Sequence, residues 1–157
     1  MKEFTAYEMQ YTGKEVTADD IPIIPFDEKY WLQYQQIYNE CFHEMREALD
    51  IKPYDYYNDI KQAEDKFKNI FLLMHDDIII GSVGCYGNEI DDLIVNKKYQ
   101  CQGYGKKLLI WAINFIRAYS SEPVTLHVAD WNKNALKLYV DNGFVITKTE
   151  KIHSDLN

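Results

Sequence analysis

Cysteine, proline and glycine are scarce, at three, four and seven in 157 residues. Cys41, Cys85 and Cys101 are odd in number and widely spaced, which argues against a disulfide framework and against zinc-ligand pairing, so the thiols are expected reduced. His43, His75 and His153 show no ligand spacing either, and no metal is implied. No glycine- or proline-rich linker, repeat or low-complexity segment interrupts the chain. It therefore reads as one domain over residues 1–157, with residues 1–19 an added N-terminal segment. Long apolar runs are missing too: none approaches the roughly 20 residues that cross a bilayer. The charged start, Met1-Lys2-Glu3-Phe4-Thr5, lacks the apolar stretch of a signal peptide, so a cytoplasmic location is expected. Positive charge is in deficit, 17 basic against 25 acidic residues for a net charge of −8. Nucleic acid and anionic membrane are thus poor partners, and a cationic or neutral substrate suits the chain better.

What is present is 46% apolar residues, enough for a sizeable core, arranged with alternating helical and strand periods. Phe4 to Tyr11 alternates loosely as a strand, and Ile21 to Phe26 is extended because each of its prolines pushes the preceding residue away from helix. Asp27 is placed to cap a long helix whose stripe, Trp31, Tyr34, Tyr38, Phe42, Met45 and Leu49, recurs at helical steps. That aromatic stripe reads first as core. A second, more polar helix is expected over Tyr56 to Lys66. Phe67 to Met74 and Ile78 to Tyr86 form a hairpin across His75-Asp76-Asp77. Further strands are expected over Glu89 to Val95, Val124 to Val128 and Phe144 to Ile152, with helices from the glycines at 103 and 105 to Tyr119 and over Asn132 to Asn142. Hairpin and crossover connections in one chain imply a mixed α/β fold: a mixed, mostly antiparallel sheet flanked by about four helices.

The informative stretch is Glu89 to Tyr119, a strand, a loop and a helix that begins at Gly103 and Gly105. The first amides of a helix have no partner within it and carry the positive end of the dipole, a ready place for an anion. Lys97, Lys98, Lys106 and Lys107 put four positive charges beside it in an otherwise acidic chain. The dinucleotide fingerprint needs a third glycine where Leu108 stands. A Walker loop needs Ser or Thr where Lys107 stands. Neither nucleotide class fits.

Gln100-Cys101-Gln102-Gly103-Tyr104-Gly105 resembles the Gln/Arg-x-x-Gly-x-Gly/Ala signature of the GNAT superfamily of N-acetyltransferases. The run Asn132-Lys133-Asn134-Ala135-Leu136-Lys137-Leu138-Tyr139, continuing to Gly143-Phe144, is similar to the family's second signature. The two together span Glu89 to Phe144. The resemblance implies acetyl-coenzyme A (acetyl-CoA) as cosubstrate and transfer of its acetyl group to a primary amine by direct attack. It places the pantetheine arm along Leu93 and Val95. The pyrophosphate would lie on the amides of Gln102, Gly103, Tyr104, Gly105 and Lys106, with Gln100 and Cys101 as the near wall. Asn132 either hydrogen-bonds the cofactor arm or caps its helix. A departure from the family is Cys101, where glycine is common. Another is the short stretch after Ile152, His153 to Asn157, which leaves the family's usual seventh strand missing or irregular unless Phe4 to Tyr11 fills that place.

The resemblance also implies the chemistry. Tyr139 stands at the position of the general acid, although a tyrosine beside Leu136 and Leu138 can equally be core. Glu89 stands where histone-type members carry a basic glutamate; Asp91 shares its parity and so its face, whereas Asp92 is expected to point the other way. Exposed carboxylates at a strand end, with water carrying the proton, are the alternative. The amide of Leu93 or Ile94 is the candidate oxyanion donor, and His127 reads as a strand histidine. The acceptor is a small-molecule or peptide amine, and a homodimer is an option because family members often pair. A non-catalytic acyl-CoA-binding module of the same fold is the rival function.

Overall fold

In the computed structural model, which describes residues 2–154, ten regular strands and α-helices follow the expected order with one substitution. β1 (Glu3–Tyr11) and β2 (Ile23–Pro25) precede a 3₁₀ turn at Glu28–Tyr30 and α1 (Trp31–Ala48). Asp27 caps the 3₁₀ turn, its side chain accepting from the Lys29 amide, and not the long helix itself, which starts after Tyr30 with no side-chain cap. β3 (Ile70–His75), β4 (Ile78–Tyr86) and β5 (Glu89–Val95) form a meander, followed by α2 (Tyr104–Arg117), β6 (Thr125–Ala129), α3 (Lys133–Asp141) and β7 (Phe144–His153). The helix expected over Tyr56 to Lys66 is instead two 3₁₀ stretches, Ile60–Gln62 and Glu64–Asn69. Asp59 is extended and is the N-cap of the first: its side chain accepts from the Lys61 amide while the Gln62 side chain bonds back to Tyr56, Asn58 and Asp59, which holds residues 56–59 outside any helix. That 3₁₀ stretch stands in the fourth helix's place.

The seven strands make one sheet in the order β2-β3-β4-β5-β6-β1-β7. All pairings are antiparallel except β5 with β6. β4 is buried on both faces and shows why: Ile79 faces the α1 layer with Trp31, Tyr34, Ile37 and Tyr38, while Ile80, Val83 and Cys85 face the α2 layer with Leu108, Ala112 and Ile116. The aromatic stripe of α1 is therefore core. The β3–β4 turn has Asp76 and Asp77 at φ 47° and 62°, the two left-handed residues of a tight hairpin.

β1 lies between β6 and β7, pairing along its whole length with β7 from Glu3–His153 to Tyr11–Phe144. The N-terminal strand thus sits inside the sheet, between the last two strands of the chain among the described residues. At its outer end the Lys2 and Ser154 backbones close the sheet, Ser154 N–H donating to Lys2 O at 2.9 Å. The last three residues of the tail His153 to Asn157, and residue 1, lie outside the described residues. No helix among the described residues is long and apolar enough to cross a membrane.

Two irregularities position the cleft. β5 and β6 pair only at Glu89–Thr125 and Ile90–Leu126, and beyond these the parallel strands separate. On its other side, β5 shifts register against β4 between Ser82–Ile94 and Gly84–Asp91, so that Asp92 and Leu93 together face Val83. This is a β-bulge, with Asp92 at φ 49°.

Candidate active site

The separation of β5 from β6 opens a cleft between α1, β5 and α3. One half, about 380 Å³, is lined by Leu93, Ile94, Val95, Gln100, Gly105 and Asn132, with Tyr139 at its inner end. The other half, about 300 Å³, holds Asp91, Asp92, Arg46 and His127. Leu93, Asn132, Ala135 and Tyr139 line both. The halves therefore meet at the bulge.

At the loop end of the first half, Gly103 is the residue before α2 and takes φ 87°, a conformation that only glycine holds without strain, and Cys101 is also left-handed at φ 62°. Nothing lies within 4 Å of where a Gly103 Cβ would stand, so the space in front of the helix start is open. The first α2 amide to find a carbonyl is that of Lys107, on Gly103 O at 3.2 Å, which leaves the amides before it without a helical partner. Cys101, Gln102, Gly103 and Lys106 are exposed on this rim and Tyr104 is half-buried. Lys97 lines the cleft, whereas Lys107 Nζ sits 5.7 Å from the Tyr104 ring centroid.

The open edge of β5 is partly spoken for. Val95 O accepts from Gln100 Nε2 at 3.0 Å and from the Cys41 thiol at 3.3 Å. Burial pushes that thiol up to about 11, so it remains a donor. Asn132 caps α3, its Oδ1 accepting from the Ala135 amide at 3.2 Å. Of the two roles open to it, the cap is occupied, and the residue also lines both halves of the cleft.

The bulge corrects the expected facing of the carboxylates. An extra residue inverts the strand's parity, so Asp91 and Asp92 both line the second half of the cleft instead of pointing apart. Asp92 N–H donates to Asp91 Oδ1 at 2.9 Å, and the Tyr38 hydroxyl donates to Asp92 Oδ1 at 3.3 Å. Burial first, then the neighbouring Asp91 charge, pushes the Asp92 carboxyl up to about 7. Asp91 is raised as well, mainly by desolvation. Glu89 is not in the lining of this half: its Oε1 is 2.6 Å from Nδ1 of His127, which does line it. Tyr139 is buried against Phe144, with ring centroids 5.9 Å apart. It is thus both core and cleft wall. Burial, then the charges of Asp91 and Asp92, raises its phenol, so it is protonated at neutral pH.

Sequence reasoning missed Asp92, Arg46, and Phe4 and Ala6 of β1, which complete the second half. The one signal for the bulge was Asp91-Asp92 itself, a pair of poor strand formers in which aspartate tolerates positive φ. Among the described residues no group of three or more His, Cys, Asp or Glu is arranged to hold a metal.

A mixed sheet that splays at one bulged strand, with a glycine-opened helix start beside the gap, defines an acetyltransferase-type α/β fold. The chain belongs to the acetyltransferase (GNAT) family, whose family model matches residues 31–144. Solved structures agree in fold. A protein assigned to the GNAT family from Novosphingobium aromaticivorans DSM 12444 superposes with TM-score 0.70 at 16% identity over 96% of this chain and 63% of that one. A GNAT acetyltransferase from Colwellia psychrerythraea gives 0.69 at 14% identity over 96% and 56%. The yncA protein of Salmonella typhimurium, solved with acetyl-CoA, gives 0.66 at 15% identity over 83% and 82%. The chain thus spans about three-fifths of the length of the first two. No curated protein sequence matches it.

Proposed function

We propose that the chain is an N-acetyltransferase that moves the acetyl group of acetyl-CoA directly onto a primary amine. The observation that carries this reading is the meeting of the two cleft halves at Leu93 and Tyr139, with a carboxylate pair on one side and a glycine-opened helix start on the other. The residues fit acetyl-CoA: the open space before Gly103 and the unpartnered first amides of α2 suit a pyrophosphate. Lys97 adds charge on the same side. When bound, acetyl-CoA supplies an acyl carbon already activated as a thioester.

This chain's residues supply the rest. Asp92, with Asp91 beside it, removes the ammonium proton; a carboxyl poised near 7 is matched to that task at neutral pH. The backbone amide of Leu93 or Ile94 is the donor for charge developing on the acyl oxygen. Tyr139, kept protonated, gives its proton to the departing sulfur, and the second proton that the nitrogen sheds on becoming an amide restores the phenol. Glu89 holds His127 rather than the substrate. The net charge of −8 supports a cationic or neutral amine, small-molecule or peptide, met in the cytoplasm, over nucleic acid or membrane.

Two measurements test this. Coenzyme A should raise the thermal midpoint, and acetyl-CoA with an amine panel should release free thiol. Tyr139→Phe should lose about 10²-fold in kcat while keeping its affinity for coenzyme A. Unchanged turnover would remove Tyr139 from the mechanism. Binding with no thiol release across the panel would leave a non-catalytic acyl-CoA-binding module.

A further inference from the structure

The acceptor half of the cleft narrows the amine, resting on the transfer proposed above. Its wall divides by chemistry. Phe4 and Ala6 from β1, Phe42 and Leu49 from α1 and its C-terminal cap, and Ile51 just beyond make one side carbon-rich. Asp91, Asp92 and Tyr139 line the same half. Arg46, also in its lining, is fixed: one Nη donates to Ile51 O at 3.4 Å and Pro53 O at 3.0 Å, and the guanidinium carbon lies 4.8 Å from the Tyr56 ring centroid.

Asp91 and Asp92 offer negative charge to one ammonium, while Arg46 in the wall and Lys66, whose charge reaches both carboxyls, leave no surplus for a second. A second ammonium on the same acceptor would have to lie among apolar side chains or near Arg46, in either case without a counter-charge. We infer that the acceptor is a primary monoamine on a compact apolar body. Phe4 then sets the size of that body, from a strand outside the segment 31–144 that matches the family model. Polyamines and lysine-rich peptides are poor acceptors on this reading.

The test compares pentylamine with 1,5-diaminopentane, which differ by one amino group, as acceptors with acetyl-CoA. The wild-type kcat/KM should favour the monoamine at least tenfold. Arg46→Gln should reduce that ratio to threefold or less by raising the diamine value. Phe4→Ala should raise KM for pentylamine about tenfold with kcat kept, and Phe4→Leu should restore most of the loss. A diamine used as well as the monoamine, a ratio unmoved in Arg46→Gln, or an unchanged KM in Phe4→Ala would overturn the inference. Thermal shift by coenzyme A, recorded on every variant, checks that each is folded. Its absence in the wild type would overturn the acetyl-CoA reading itself. Calorimetric titration of both amines into protein saturated with coenzyme A reads the same ranking where no thiol is released, so a failed transfer and a misassigned acceptor give different results.

Discussion

At pH 8 Asp92 must carry its charge half-buried, against Asp91 and with the Tyr38 hydroxyl as its close donor among the described residues. A carboxyl raised from 3.8 to about 7 on folding binds its proton more tightly in the native state than in the unfolded chain. Between about pH 4 and 7 the folded form therefore holds the extra proton, and stability falls as pH rises through that window. Asn can take the same left-handed φ of 49° without new strain. Asp92→Asn is accordingly expected to be more stable than wild type at pH 8 by about 1–2 kcal/mol, cleft water screening the remainder of the shift. The two proteins should converge near pH 4. The same variant should lose about 10²-fold or more in kcat/KM and lose the wild-type rate limb that rises with an apparent pKa near 7. Chemical denaturation at the two pH values and a pH–rate profile check both halves; a variant less stable at pH 8 would show that Asp92 is not held against its own ionisation.

Among the elements, the glycine-opened start of α2 invites a test that separates strain from binding. Gly103 and Gly87 both have positive φ, 87° and 62°, and neither has an atom within 4 Å of its Cβ position. Alanine at either should cost about 1–2 kcal/mol from left-handed strain alone. Only Gly103→Ala places a methyl group before the helix start, so it alone should weaken coenzyme A, by about tenfold in calorimetric Kd. Equal affinity in the two variants would move the pyrophosphate elsewhere. α1, the loop and α2 were legible in the sequence because Trp31 to Leu49, Gly103-Tyr104-Gly105 and Leu108 to Ile116 each state their conformation locally. The stretch 56–66 was not, since the Gln62 side chain ties down Tyr56 and Asn58 outside the helix through contacts that no periodicity encodes. The bulge was equally hidden: strand alternation puts Asp91 and Asp92 on opposite faces, and only the register against Gly84 and Ser82 reverses that.

For the whole molecule, the sheet depends on a strand drawn from the opposite end of the chain. Pairing of β1 with both β6 and β7 joins residues more than a hundred positions apart, a contact that single-sequence periodicity does not reveal. Met9 and Tyr11 on this strand are buried in the α2 layer with Leu126, Val128 and Phe144. Removing both side chains costs about 2–5 kcal/mol each, against a total stability of about 5–15 kcal/mol for a domain. A chain shortened to begin at residue 12 is therefore expected to show no cooperative thermal transition by circular dichroism. A synthetic peptide of residues 2–12, added in excess, should restore the transition by reinserting between β6 and β7. Met9→Ala, in the full chain, should lower stability by about 2–4 kcal/mol. By contrast, Val145→Thr on the neighbouring edge strand, 46% exposed, should stay within about 0.5 kcal/mol of wild type. If the shortened chain instead unfolds cooperatively within about 1 kcal/mol of the full one, β1 is an appendage, and Phe4 would then be free to leave the acceptor wall without cost to the fold.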